Sequence, residues 1–366
     1  MIPALRMSRQ QLPAHSRAWV EVDLGALRRN GAALAARSGV PLLAVIKADG
    51  YGLGAVRVAA ALESLQPWGF GVATVAEGIE LRDAGVTRPI LVLSPILPDE
   101  FAVATGAMLR PSLGDIDAIR SWINGGGGAW HLSIDTGMNR AGMPWENVAR
   151  ARDTIAAALP EGVFTHFHSA DVDSQSVVVQ IERFRRALAQ LPARPRYVHA
   201  ENSPAIERGR RSAWDLARPG VFLYGVGGGT GATMRPEPVA HLRARVVDIR
   251  TVNEGETVSY GATWRAAGAR RIATLGIGYA DGYRRALSNR GVVLLNGRRV
   301  NVVGIVTMDM TMIDVTDVPC AIGDVATLIG RDGDETLTVD AVADTAQVLS
   351  YELLVGLKLR APRVYR

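Results

Sequence analysis

The feature that most constrains this 366-residue chain is a repetition between residues 41 and 225. Eight short apolar runs rich in β-formers occur there: PLLAVIKAD, WGFGVAT, PILVLSP, AMLRPSL, WHLSIDT, VFTHFHSA, RYVHAENS and DLARPGVFLYG. Helical patterns lie between them, clearest over residues 54–66 and 176–191. A continuously apolar run belongs to a strand buried on both faces, and strands alternating with helices pair in parallel. Eight such units predict a (β/α)8 barrel of the TIM type.

After residue 235 the pattern changes to strands with little helix between them, among them AHLRARVVDIRTV, RRIATLGIGYA and DVATLIG. In VVLL-NG-RRVNVV the Asn-Gly pair suits a type I′ hairpin turn. The expected organisation is a flexible tail over 1–16, a barrel over 17–235, and a mostly antiparallel β domain over 236–366 that closes with a helix in TAQVLSYELLVGLKLR. The junction is the Gly- and Pro-rich stretch 225–238. AWVEVDL alternates with period two, so a strand over 18–24 precedes the barrel and is free to join the β domain.

Composition narrows the function. The single cysteine, Cys320, excludes an intramolecular disulfide and a Cys-based zinc cluster, and no metal site is expected. Nothing approaches the ~18 apolar residues of a membrane span, and no signal-peptide core is recognisable, so the expectation is a cytoplasmic protein. The net charge of +5 is spread as arginine pairs without a basic run or aromatic stripe, which argues against nucleic acid. The Gly runs at 125–128 and 227–231 lack a following Lys-Ser/Thr and read as flexible loops. Of the 41 basic residues only two, Lys47 and Lys358, are lysine. A lysine kept in such a background points to amine chemistry that a guanidinium cannot perform, such as a Schiff base.

In a barrel of this kind the working residues sit at the C-terminal ends of the strands. Here those ends read KADGYG, with Lys47 and Tyr51, then DTGMNRAG, THFHSAD, ENS and RPGVFLYG, followed in the β domain by SYGATW and MDMT. In order and spacing these segments resemble the alanine racemases over essentially the whole chain. The resemblance implies a barrel followed by a β domain, a homodimer with shared sites, pyridoxal 5′-phosphate as cofactor and alanine as substrate. It implies that Lys47 carries the cofactor as a Schiff base and that Tyr260 is the second acid/base. Tyr51, Asn202, Ser203, Gly220, Val221 and Tyr351 would hold the cofactor, mostly at its phosphate. Arg218 would face the ring nitrogen with His166 behind it, and Arg140 would touch the phenolic oxygen. Arg140, Met308 and Asp309 would meet the substrate, the last two from the partner subunit. The implied role is D-alanine supply for peptidoglycan.

The chemistry agrees with the residue types. Removing an amino acid's α-proton needs an electron-withdrawing group, which the cofactor supplies. Racemisation needs acid/base groups on both faces, and an amine and a phenol can serve one each. A phenol near pKa 10 must be shifted by positive neighbours to act at neutral pH. An arginine at the ring nitrogen does not readily take part in proton transfer, which limits side reactions such as transamination. Of His166 and His168, which flank Phe167 on alternating faces, motif position favours His166. The chain departs from the family pattern at Asp49, Gly50, Leu53 and Thr307, and at Ser133, where many members carry a carbamylated lysine that orients the arginine. An anion or water would hold Arg140 instead. Two other readings are a broader racemase of serine or basic amino acids and a non-catalytic pyridoxal phosphate carrier. The carrier needs no β domain with a Tyr260, and secreted forms of the broader racemase would need a signal peptide.

Overall fold

The computed structural model describes residues 16–172, 174–209, 211–227 and 232–366. The expected tail, apart from its last residue, and most of the Gly-rich loop at 227–231 lie outside the described residues.

Seven of the apolar runs form parallel strands in chain order: Leu43–Val45, Gly69–Val72, Ile90–Val92, Arg110–Leu113, His131–Asp135, Gly162–Phe164 and Tyr197–His199. The eighth run closes the ring with two bridges, Leu216 to His199 and Ala217 to Leu42. The amides of Leu43 and Val45 donate to the carbonyls of Ala217 and Pro219, both at 2.8 Å. This run stays short for a physical reason. Pro219 has no N–H, the Arg218 amide is spent on Glu201 O, and Gly220 turns the chain into the 3-10 helix Val221–Tyr224.

Helices cover the barrel as the patterns predict. Ala55–Leu62 tightens into the 3-10 turn Glu63–Leu65, and Ser174–Ala189 is a single helix. Before the first barrel strand, Leu24–Ser38 is capped by Asp23, whose carboxylate accepts from the Ala26 amide, and is ended by Gly39 at φ 68°.

The second sheet is organised around the long strand Ala240–Val252, which pairs antiparallel with Ala18–Val22, Arg270–Leu275 and Val325–Asp332. The strand Arg363–Tyr365 lies parallel on the other side of Ala18–Val22, so segments from both ends of the chain are built into this sheet. The hairpin Val292–Leu295 with Arg298–Asn301 turns on Asn296 (φ 52°) and Gly297 (φ 72°), the positive angles that a type I′ turn needs.

The closing helix differs from expectation. It is two helices, Val339–Ala346 and Ser350–Val355, because Gln347 takes a left-handed conformation at φ 55° and ends the first. Ser350 Oγ bonds Asp340 Oδ1, which ties the second helix to the start of the first. The tail then returns as a strand. Among the described residues no helix is long and apolar enough to cross a membrane.

Candidate functional site

A cavity of about 870 Å³ opens at the C-terminal ends of the barrel strands. It is lined by side chains from six of the eight sequence runs together with Leu349, Tyr351 and Val355 from the C-terminal helical segment.

Lys47 enters this cavity from the turn after Leu43–Val45, half-buried. The next four residues, Ala48 to Tyr51, all have φ between 53° and 61°, a full turn of left-handed backbone. For residues bearing a Cβ this costs roughly 1–2 kcal/mol each, so other contacts must hold it. They are visible. Glu77 accepts from the amides of Ala48 and Ala73, each at 2.7 Å, and Asp49 accepts from the Ala55 amide at 2.8 Å. Burial, reinforced by Arg140, lowers the Lys47 amine below the ordinary lysine range, with Glu77 pulling weakly the other way. The outcome is an amine with more of its neutral, nucleophilic form at a given pH.

At the other end Tyr51 is buried and stacked on Tyr224, ring centres 4.5 Å apart. Its hydroxyl is lodged against Gly220, where a Cβ would stand 2.7 Å from Tyr51 Oη. Ser203 Oγ accepts from the Gly220 amide at 2.9 Å and the Phe222 amide at 3.4 Å. Val221 and Tyr351 complete this wall. Asn202 caps the helix Ser203–Arg208 by accepting from the Ala205 amide. The result is a cluster of hydroxyls and backbone N–H groups without an anionic side chain among those named, a donor set suited to a phosphate.

Arg218 is fully buried on the barrel axis side. Its Nη1 donates to His199 Nδ1 at 2.8 Å, and its Nη2 donates to Thr165 O at 2.6 Å and Ala200 O at 3.1 Å. Burial lowers its pKa to about 9, with Glu201 opposing, so it remains a cation at neutral pH. His166 Nδ1 lies 3.5 Å from Arg218 Nη2. Burial, then Arg218, Arg140 and Lys47, push its pKa to about 3, so it is a neutral imidazole. His168 is exposed and bonds Ser169 Oγ, although it also reaches the cavity wall. Arg140 and Ser133 both line the cavity, Arg140 as an exposed side chain.

The structure does not bring Tyr260, Met308 or Asp309 to this cavity. Tyr260 is 74% exposed on a short turn of the β domain, and Met308 is 52% exposed. Asp309 is held by Arg360 at 2.6 Å, and Arg360 in turn grips the buried Asp281 through two bonds of 2.6 and 2.9 Å. Thr307 Oγ accepts from the Met310 amide and closes the 307–310 turn.

Sequence reasoning missed Glu77, Asp281, Arg360 and His199. Glu77 had a usable signal, since Thr74-Val-Ala-Glu77 is a capping-box spacing. The others are single polar residues with no local pattern.

Two family models, described as the alanine racemase N-terminal and C-terminal domains, match residues 22–227 and 239–365. An alanine racemase of Symbiobacterium thermophilum is 41% identical over 364 residues, covering 95% of this chain and 96% of that protein. Among solved structures, the alanine racemase from E. faecalis has a TM-score of 0.91 at 33% identity, covering 97% of this chain and 100% of the other. The alanine racemase from Bartonella henselae, solved with covalently bound pyridoxal phosphate, has a TM-score of 0.89 at 28% identity, covering 96% and 100%.

Proposed function

The chain belongs to the alanine racemase family, and from that premise we propose how its own residues divide the work of interconverting L- and D-alanine with pyridoxal 5′-phosphate. The cavity suits that cofactor. It has an amine at one end and a cluster of hydroxyl and amide groups at the other, and the absence of a Cβ at Gly220 admits the Tyr51 hydroxyl. When bound, the cofactor withdraws electrons from the substrate's α-carbon so that its proton can leave.

Lys47 Nζ attaches the cofactor and afterwards moves the α-proton on one face. Tyr51, Ser203, Tyr351 and the Gly220–Val221 backbone grip the phosphate, while Asn202 fixes the helix end beside it. Arg218 presents an N–H to the ring nitrogen and keeps its proton, with the neutral His166 at its flank. Arg140 reaches the phenolic oxygen and the substrate from the rim. Tyr260 works on the opposite face, and Met308 and Asp309 border the substrate carboxylate.

Because Tyr260 and Met308 are exposed, Asp309 is partly so, and all three lie away from their own chain's cavity, they are supplied by a second copy in a homodimer with shared sites. The D-alanine formed feeds peptidoglycan synthesis. The observation that carries this reading is Lys47, one of two lysines, half-buried in the cavity with its amine pushed toward the neutral form. The test is to incubate the pure protein with each L-amino acid and score the chirality of the product. D-Alanine from L-alanine is expected, and an unchanged L-alanine pool would overturn it.

A further inference from the structure

Behind Arg218 a line of buried polar groups runs down the interior of the barrel. Arg218 Nη1 donates to His199 Nδ1 at 2.8 Å, and His199 Nε2 lies 2.8 Å from His131 Nδ1. His131 Nε2 then faces Glu161 Oε2 at 3.5 Å, and that oxygen accepts from Arg110 Nε at 2.5 Å. Both imidazoles are wholly buried. Phe164 stacks on His199 at 5.0 Å between ring centres, and Trp68 lies against His131 at 5.5 Å.

The chemistry of the groups fixes every proton in this line. Arginine has donors only, so His199 Nδ1 must accept, and a neutral His199 then carries its proton on Nε2. That proton points at His131 Nδ1, which must accept, so His131 carries its own proton on Nε2, which approaches Glu161 to 3.5 Å without completing a hydrogen bond. A carboxylate can only accept. Burial favours the neutral form of both rings. Burial alone would raise the Glu161 pKa, but His131 and Arg110 outweigh it and hold the carboxyl at about 2. An anion at the far end therefore favours the same two tautomers that the guanidinium requires, so both ends of the line agree.

We propose that His131 and Glu161 are positioning residues of the racemase: the line from Glu161 through His131 and His199 fixes the donor orientation of Arg218 toward the cofactor's ring nitrogen. Reversing the line would set a His199 Nδ1–H against an Arg218 N–H, two donors at 2.8 Å, and the guanidinium would have to move. The inference rests on Arg218 meeting the ring nitrogen, as set out above.

Glu161→Gln is the variant that reverses the line. Arg110 claims the amide oxygen, which leaves the amide N–H facing His131 Nε2 and favours protons on Nδ1 of both rings. Glu161→Asp keeps the anion. The chain has six histidines, so nitrogen-resolved NMR of the holoenzyme can assign each tautomer by substitution. The wild-type protein should show both His131 and His199 protonated on Nε2, and a proton on Nδ1 of either ring would overturn the proposal without any variant.

In Glu161→Gln, His131 should move to the Nδ1–H form. The ratio of transamination to racemisation should rise about tenfold, the scale of one lost hydrogen bond to a charged group, and the Lys47-bound cofactor should be retained. Glu161→Asp should keep the wild-type tautomers and ratio. A changed tautomer with an unchanged ratio would reduce the line to packing and refute the proposal. Arg218→Glu separates the two readings. If it leaves spectrum and product ratio unchanged, the assignment of Arg218 fails; if it shifts them while Glu161→Gln does not, only the positioning line fails.

Discussion

The barrel mouth and the exposed turns of the β domain carry the two halves of one proposed reaction in opposite physical settings. Around Lys47 and Arg218 the groups are buried and held in place: a left-handed turn tied by Glu77, a guanidinium with three acceptors, and a tyrosine wedged against a glycine. Around Tyr260 and Met308 the side chains are exposed, on an edge stiffened from behind by Arg360 and Asp281. A phenol that is to serve as a base near neutral pH needs a positive neighbourhood, which a solvent-exposed edge does not supply. In the proposed assembly the second half becomes a working site only when covered, and the mouth of another copy, with Arg140 and Arg218 in its lining, is the surface that would do so.

Lys47→Ala should have the largest effect. It should remove racemisation by about 10⁴-fold or more, the upper end for a positioned acid/base group, and abolish covalent cofactor attachment. Borohydride reduction of the wild-type protein should fix the cofactor to the peptide carrying Lys47. Label on the Lys358 peptide would break the barrel side of the comparison.

Next is Tyr260→Phe, expected to lose racemisation by about 10²-fold or more while the yellow, cofactor-loaded state persists. With Tyr260 serving the L-enantiomer, as the family resemblance implies, solvent deuterium should cease to enter L-alanine yet still enter D-alanine through the Lys47 face. Equal residual exchange into both enantiomers would show one base reaching both faces.

Arg360→Ala sharpens the β-domain side. It leaves the buried Asp281 carboxylate with only the Gly278 amide as donor and frees Asp309, so thermal unfolding should show a loss of ~1–3 kcal/mol, and KM for alanine should rise with an unchanged cofactor spectrum. An altered spectrum would mean that the two regions are not separable in this way.

The smallest effect is expected from Glu77→Gln. Glu77 raises the Lys47 pKa against the dominant lowering by burial, so removing its charge lets the amine lose its proton at lower pH. Capture of added cofactor by the apoprotein rises with pH as the amine becomes neutral, and the acid limb of that profile should move to lower pH in the variant. A shift to higher pH would contradict the assigned sign.

The barrel was legible because parallel strands buried on both faces leave continuous apolar runs, and their ends named the cavity in advance. The eighth run was legible as a strand but not as a pair of bridges, since Arg218 and Pro219 divert its backbone bonds to Glu201 and into the turn. The split of the closing helix at Gln347 left no mark, because glutamine is an ordinary helix former and its left-handed angle belongs to a helix cap in which the Gln347 and Val348 amides bond back to the Ala343 and Asp344 carbonyls. His131 sits inside a strand run whose apolar neighbours dominate the pattern and Glu161 just before another, so their pairing exists only once the barrel closes. Tyr260 was singled out by its motif, whereas its exposure is a property of the folded chain that no local pattern encodes.

The central claim, that each site joins the barrel mouth of one chain to the Tyr260 edge of another, is tested most directly by mixing two inactive variants. Lys47→Ala and Tyr260→Phe chains, unfolded together and refolded, should form mixed dimers in which one site has an intact lysine facing an intact tyrosine. Random pairing makes half the dimers mixed, each with one whole site, so about a quarter of wild-type racemisation should return. Activity that stays at the level of the separate variants, with mixed dimers demonstrably present, would place both residues of each site on one chain and contradict the account.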